Sequence, residues 1–329
     1  VSKPFPQVSR FQRYESNWFR VLFSLRGSVI PAVLPRTLLC ALFAVLIYWL
    51  YIKGWPVSSP ILGTLVPSLV LGLLLVFRTN TSYERFWEGR KLWGSVVNLT
   101  RNLARNIWVA VQAHQPADHT AKIATVRLLP AFAVAMKRHL RAEPPNQELA
   151  NFLSAEQFAK LQGANNPPLE IAFWLADYLQ TQEAQNKLNP YQLTACLKAL
   201  DGLVDALGGC ERILKTPIPM AYCIHLKQLL MLYCLALPFQ MVASVGWGTP
   251  LLVGLISFAV FGIEEIGIEI ENPFGYDPND LPLDAICRTI QQNTNDLIAL
   301  PPNADGLHQP LANLSLDLEA ELRDSYRQL

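Results

Sequence analysis

The sequence predicts an all-α membrane protein with four transmembrane helices and a large helical cytosolic portion. Three observations carry that prediction: charge-free runs of bilayer length, charges gathered into separate blocks, and no run that alternates cleanly enough to be a strand. Of 329 residues, 51% are hydrophobic and only 16% charged, against roughly 25% charged in an ordinary soluble domain. The net charge of +1 gives no bulk electrostatic case for nucleic acid.

Residues 1–36 form a basic segment, with Lys3, Arg10, Arg13, Arg20, Arg26 and Arg36 against a single acid, Glu15. No long apolar run falls in them, so no signal peptide is expected there. Residues 37–77 read as a first transmembrane hairpin. Thr37–Ile52 is short but bounded by Arg36 and Lys53, whose charges can snorkel. Gly54–Phe77 carries no charge and would make about 36 Å of helix if continuous. A second hairpin is placed at 216–263, because residues 228–263 lack charge and GWGTP at Gly246–Pro250 divides them. A charge at mid-bilayer costs on the order of 3 kcal/mol, so such blank runs are what lipid selects.

Lys and Arg are dense in 1–36 and again in 78–105, and nearly absent from the turns near WPVSSP and VGWGTP. The positive-inside rule therefore puts both termini and the 78–215 segment in the cytosol. Within that segment Phe86, Trp93, Val96, Leu103 and Ile107 recur at helical spacing, with Arg90, Lys91, Arg101 and Arg105 mostly off the stripe. Ser154 with Gln157 predicts a capping box. Asn189-Pro190 opens a helix expected to stop at Gly208-Gly209. AEPPNQ and GANNPP read as loops. Residues 264–329 form a cytosolic C-terminal segment, with a loop and a short acidic helix expected from PPNADGLHQP onward.

Catalytic motifs are missing. The five histidines share no metal spacing, and no G-x-S-x-G, P-loop or dinucleotide fingerprint occurs. The six cysteines form no C-x-x-C and read as free thiols. Glu264-Glu265 is expected to be a solvated pair where a span ends, and His225 a structural histidine. The chain is not expected to be an enzyme or to hold a cofactor.

One stretch asks for more. In LVLGLLLVFRTNTSYERFWEGRKLWG, Leu69 to Gly94, an uncharged helix meets a highly charged one without Gly-Pro punctuation. Leu69, Leu73 and Phe77 stand four apart on one face. From periodicity alone such a stripe is ordinarily a packing surface. Around a common axis of several copies it would make a dry collar, and hydrophobic constrictions gate ions by dewetting.

FRTNTSYERFWEGRKLWG, TPIPMAYCIH at Thr216–His225 and IEEIGIEIENPFGYDPNDLPLD at Ile263–Asp284 resemble, in that order, blocks of the bestrophin family, especially its bacterial and plant-chloroplast branch. The resemblance runs from about Trp18 to Ile290 and makes 1–329 a single channel subunit. It implies a bestrophin-like homopentamer in a lipid membrane, whose pore helix continues unbroken past the membrane surface. It implies a pore neck at Leu69, Leu73 and Phe77, of which only Phe77 is aromatic, and a cytosolic aperture at Ile218 between Pro217 and Pro219. The family's calcium clasp falls on Tyr276–Asp280, where only Asp277 and Asp280 remain as carboxylates. Calcium takes six to eight oxygens, so an Asx-type turn built by Asp277, Asn279 and Asp280 is the favoured reading and a calcium site the alternative.

The function expected is a passive channel for small monovalent ions, permeable to chloride or other anions. A sodium-selective channel of the same family is the alternative, followed by a secondary transporter; a membrane-anchored interaction protein is a third class. The host membrane expected is a bacterial inner or plasma membrane, with thylakoid or chloroplast membrane as the alternative.

Overall fold

Helices account for the ordered secondary structure of the computed structural model, which describes residues 27–59 and 65–300, and no strand occurs among those residues. The chain divides into two compact units, residues 1–90 with 212–281 and residues 91–211 with 282–329.

In the first unit α1 spans Ile30–Ile52, and α2 begins at Leu65 and runs to Ala110, its first part belonging here. α8 (Met220–Val245) and α9 (Thr249–Glu269) follow, joined by a 3-10 turn at Gly246–Gly248, where Gly246 has φ +60°. α1 packs against both α8 and α9, and those two pack against each other. Their shared core is Val33, Cys40, Ala44, Leu71, Leu75, Leu226, Leu230, Cys234, Leu237, Val253 and Phe261. Large apolar side chains point the other way: Leu42 is 68% exposed, Leu232 66% and Leu251 64%. Large apolar side chains thus lie on the outside as well as in the core, and in water such a surface would associate. By length and apolar composition, Ile30–Ile52 and the Met220–Glu269 stretch are long enough to cross a membrane.

Two expectations need correction here. The first span starts at Ile30 rather than Thr37, because Pro31 suits a helix's first turn, so Arg36 lies inside α1 rather than bounding it. The second is not one helix from Gly54. Residues 55–59 are non-helical, Trp55 and Ser59 each precede a proline, and the Ser59 N–H donates to Phe239 O at 2.9 Å. Its described uncharged helix covers only residues 65–77.

The second unit holds the rest of α2, then α3 (Pro116–Leu140), the short α4 (Gln147–Ala150) and α5 (Ala155–Gln162), α6 (Pro167–Ala184), most of α7 (Pro190–Lys215) and α10 (Leu283–Ile298). α3 is its centre: residues 128–137 are buried on every side, and α6 and α10 pack on it. Trp93, Val96, Leu103 and Ile107 are fully buried, Phe86 of the first unit is half-buried, and Arg90, Lys91, Arg101 and Arg105 are exposed. The capping box of Ser154 and Gln157 is present. GANNPP is shorter as a loop than the sequence suggests, since Pro167 and Pro168 open α6 behind the Asn166 cap.

α7 does not stop at Gly208-Gly209; it continues to Lys215. A Cβ on Gly209 would sit 2.9 Å from Leu92 Cδ1, so this glycine allows close helix approach instead of ending the helix. All six cysteines are free. Burial pushes the Cys196 thiol up to about 11 and Cys287 up to about 12, which leaves both inert at neutral pH. The expected helix near the C-terminus lies outside the described residues, as do residues 1–26.

Candidate pore-lining face and its anchoring network

α2 carries two faces through its uncharged part and the turn that follows. Leu71, Leu75, Arg78 and Ser82, at spacings of three and four, are buried within the first unit. On the other side Leu69 is 61% exposed, Leu73 50% and Phe77 56%. The three candidate neck residues thus share a face that the described residues leave uncovered.

The helix passes from uncharged to charged sequence without a break, over 46 residues. Helix-compatible chemistry carries it through the seam. Thr79 Oγ1 donates to Leu75 O and Thr81 Oγ1 to Phe77 O, each at 2.9 Å, so both hydroxyls are satisfied inside the helix. The Tyr222 hydroxyl on α8 donates to Leu74 O at 2.7 Å and ties the neck segment to its bundle.

Sequence reasoning missed the arginines that fix the Thr216–Pro219 loop. Arg85 Nη2 donates to Ile213 O at 2.6 Å, Nη1 to Thr216 O, and Nε to Glu271 O at 3.1 Å. A guanidinium thus meets the carbonyls that close α7 and follow α9, where helix dipoles favour a cation. Glu271 returns the contact with its carboxylate: Oε2 takes Arg78 Nη2 at 3.4 Å, and Oε1 takes the Ile218 N–H at 3.3 Å. Ile218 is only 9% exposed, so most of its side chain is spent inside the unit, while Pro217, Pro219 and Met220 are exposed. Arg78 and Arg85, seven apart on a helix, were the available signal; their partners lie more than a hundred residues on.

Glu264 and Glu265 are not the solvated pair expected. Glu264 is 2% exposed, and Arg36 Nη1 lies 3.5 Å from Glu264 Oε2 and 3.0 Å from Glu265 Oε2. The early start of α1 is what brings Arg36 to them.

Asp277 and Asp280 shape a turn. The Asp277 N–H donates to Asp280 Oδ2 at 2.8 Å and the Asp280 N–H to Asp277 O at 3.0 Å, while Asn279 Nδ2 donates to Glu269 Oε2 at 2.5 Å. Asp277 faces solvent. No group of three or more His, Cys, Asp or Glu converges among the described residues. Asp277 and Asp280 thus offer two carboxylates, against the six to eight oxygens that calcium takes from carboxylates, carbonyls and water. The preceding Pro273 and Phe274 press on α2 at Gly89, where a Cβ would come within 3.1 Å of both.

Residues 10–296 match the family described as Bacterial/Fungal Bestrophin protein. The chain belongs to the bestrophin family. Among its bestrophin relatives, a protein of Nostoc sp. named a voltage-dependent anion channel-forming protein is 62% identical over 289 residues, covering 88% of this chain and 94% of the relative. The Escherichia coli (strain K12) protein YneE, of the same description, is 33% identical over 283 residues, covering 85% and 91%. A crystal structure of a bacterial Bestrophin homolog from Klebsiella pneumoniae superposes with TM-score 0.73 at 30% identity, covering 82% of this chain and all of that one. With the family established, this bestrophin is a membrane protein.

Proposed function

We propose that this bestrophin is a passive channel for small monovalent ions, permeable to chloride and other anions, and that it performs no enzymatic reaction. One observation carries the reading: Leu69, Leu73 and Phe77 form an uncovered apolar line on a helix that continues unbroken into charged sequence. If α2 from several copies surrounds one axis, the line becomes a dewetting neck and the charged continuation a vestibule. A homopentamer is the assembly we propose, in a bacterial inner or plasma membrane, with residues 78–215 and both termini in the cytosol. The names of the Nostoc and Escherichia coli relatives support the anion reading.

Ile218 is proposed as the cytosolic aperture, held by Glu271 and its flanking prolines. The backbone there is restrained, because proline fixes φ on either side of Ile218.

Purified protein in a planar bilayer under a KCl gradient tests the function. Discrete openings with a reversal potential displaced toward that of chloride support an anion channel. Displacement toward potassium replaces it with a cation channel, and no current at any voltage removes the channel reading altogether.

A further inference from the structure

Beyond Phe77 the same face of α2 carries charge. Seven residues turn a helix through about 700°, so Glu84 points within about 20° of the Phe77 direction, two turns further along. Glu84 is exposed and has no hydrogen-bond or ion-pair partner among the described residues. Its neighbours do not neutralise it. Arg78 is 3% exposed and turned toward Glu271, and Arg85 is committed to carbonyl oxygens. Glu88, on the other flank of the same line, is already paired with Arg212 at 2.6 Å. Glu84 is therefore the first uncompensated charge after the apolar line, and it is negative.

We propose that Glu84 is a specificity-determining residue: one carboxylate from each copy forms a negative ring directly beyond the neck, which raises the permeability of cations and limits that of anions. The inference rests on the channel reading above. Rings of acidic side chains select cations by concentrating them at the pore mouth, and they act over about a Debye length. The consequence is specific to this chain. Its anion preference is weaker than an uncharged neck and vestibule would give, and Glu84 is the residue that weakens it.

The test measures the chloride-to-potassium permeability ratio of the full chain in planar bilayers, for wild type, Glu84→Gln, Glu84→Asp and Glu84→Lys. Glu84→Gln is expected to raise the ratio about twofold or more, Glu84→Lys to raise it further, and Glu84→Asp to leave it near wild type. In wild type the ratio should also climb as salt screens the ring, a dependence that Glu84→Gln flattens. This second readout needs no variant and stands if a substitution fails to fold. A wild-type ratio that ignores salt, or Gln and Lys variants with the wild-type ratio, overturns the proposal. Wild-type protein that passes no current overturns the channel reading, whereas current insensitive to Glu84 overturns only the role of this residue.

Discussion

Arg85 Nη2 lies 2.6 Å from the carbonyl oxygen of Ile213, in the last turn of α7. The same guanidinium reaches Thr216 O and Glu271 O, so one side chain on the candidate pore helix sets the path of the loop that presents Ile218.

Arg85→Ala leaves three carbonyls without a charged donor. A hydrogen bond to a charged group contributes about 1.5–3 kcal/mol, and partial exposure reduces the sum, so a loss of about 2–4 kcal/mol is expected. Thermal unfolding of the protein in detergent reads it directly. Arg85→Lys should recover only part, because an ammonium lacks the planar fork that spans these acceptors. Full recovery by lysine would show that charge alone matters there.

Lys137 gives the second unit a pH signature. Burial works against its charge, but Nζ donates to Asp284 at 2.8 Å and Glu148 at 2.7 Å, and together these hold its pKa above the usual lysine value. Burial also pushes the Asp284 carboxyl up, and Lys137 and Arg141 more than reverse this, so it stays below the usual range. The raised lysine stabilises below its ordinary value and ceases to as pH rises through the folded one. The depressed carboxylate stabilises above its ordinary range and ceases to as pH falls through the folded value. Unfolding free energy should therefore be flat near neutrality and fall at both extremes, and Lys137→Met should flatten both limbs. Asp284→Asn with Glu148→Gln strands the ammonium and should cost about 2–4 kcal/mol. A wild-type and a Lys137→Met profile that coincide would remove the ion-pair cluster from the account.

Ile218→Ala should change unitary conductance or relative permeability, since the residue sits in a loop fixed by Glu271 and two prolines. The side chain is mostly buried, so a lower unfolding temperature is expected alongside. Altered stability with identical currents would confine Ile218 to a structural role.

Much of this was legible in the sequence, for physical reasons that differ by element. The apolar runs of α1, α8 and α9 follow from length and lack of charge, and the Ser154 cap and the stripe through Trp93 and Ile107 from local hydrogen bonding and periodicity, which nearby residues determine. The Leu69–Leu73–Phe77 line was readable as a face, but its exposure was not, because exposure depends on where α8 and α9 go. The start of α1 at Ile30 had a local signal in Pro31, which the length of the charge-free run masked, whereas the passage of α7 through Gly209 escaped because tertiary packing overrode a local stop signal. Glu264-Glu265 was misread as solvated because its partner is distant: Arg36 approaches from a helix more than two hundred residues earlier. The Arg78–Glu271–Ile218 contacts join residues far apart in the chain, and one sequence holds no sign of such pairings.

The central claim is that Leu69, Leu73 and Phe77 from several copies enclose one conduit. Single-channel recording of the Leu69→Ala/Leu73→Ala/Phe77→Ala protein tests it most directly. Trimming the collar should widen it and lessen its dewetting, and the account predicts a larger unitary current than wild type. A unitary current identical to wild type would place the ion path elsewhere and contradict the account.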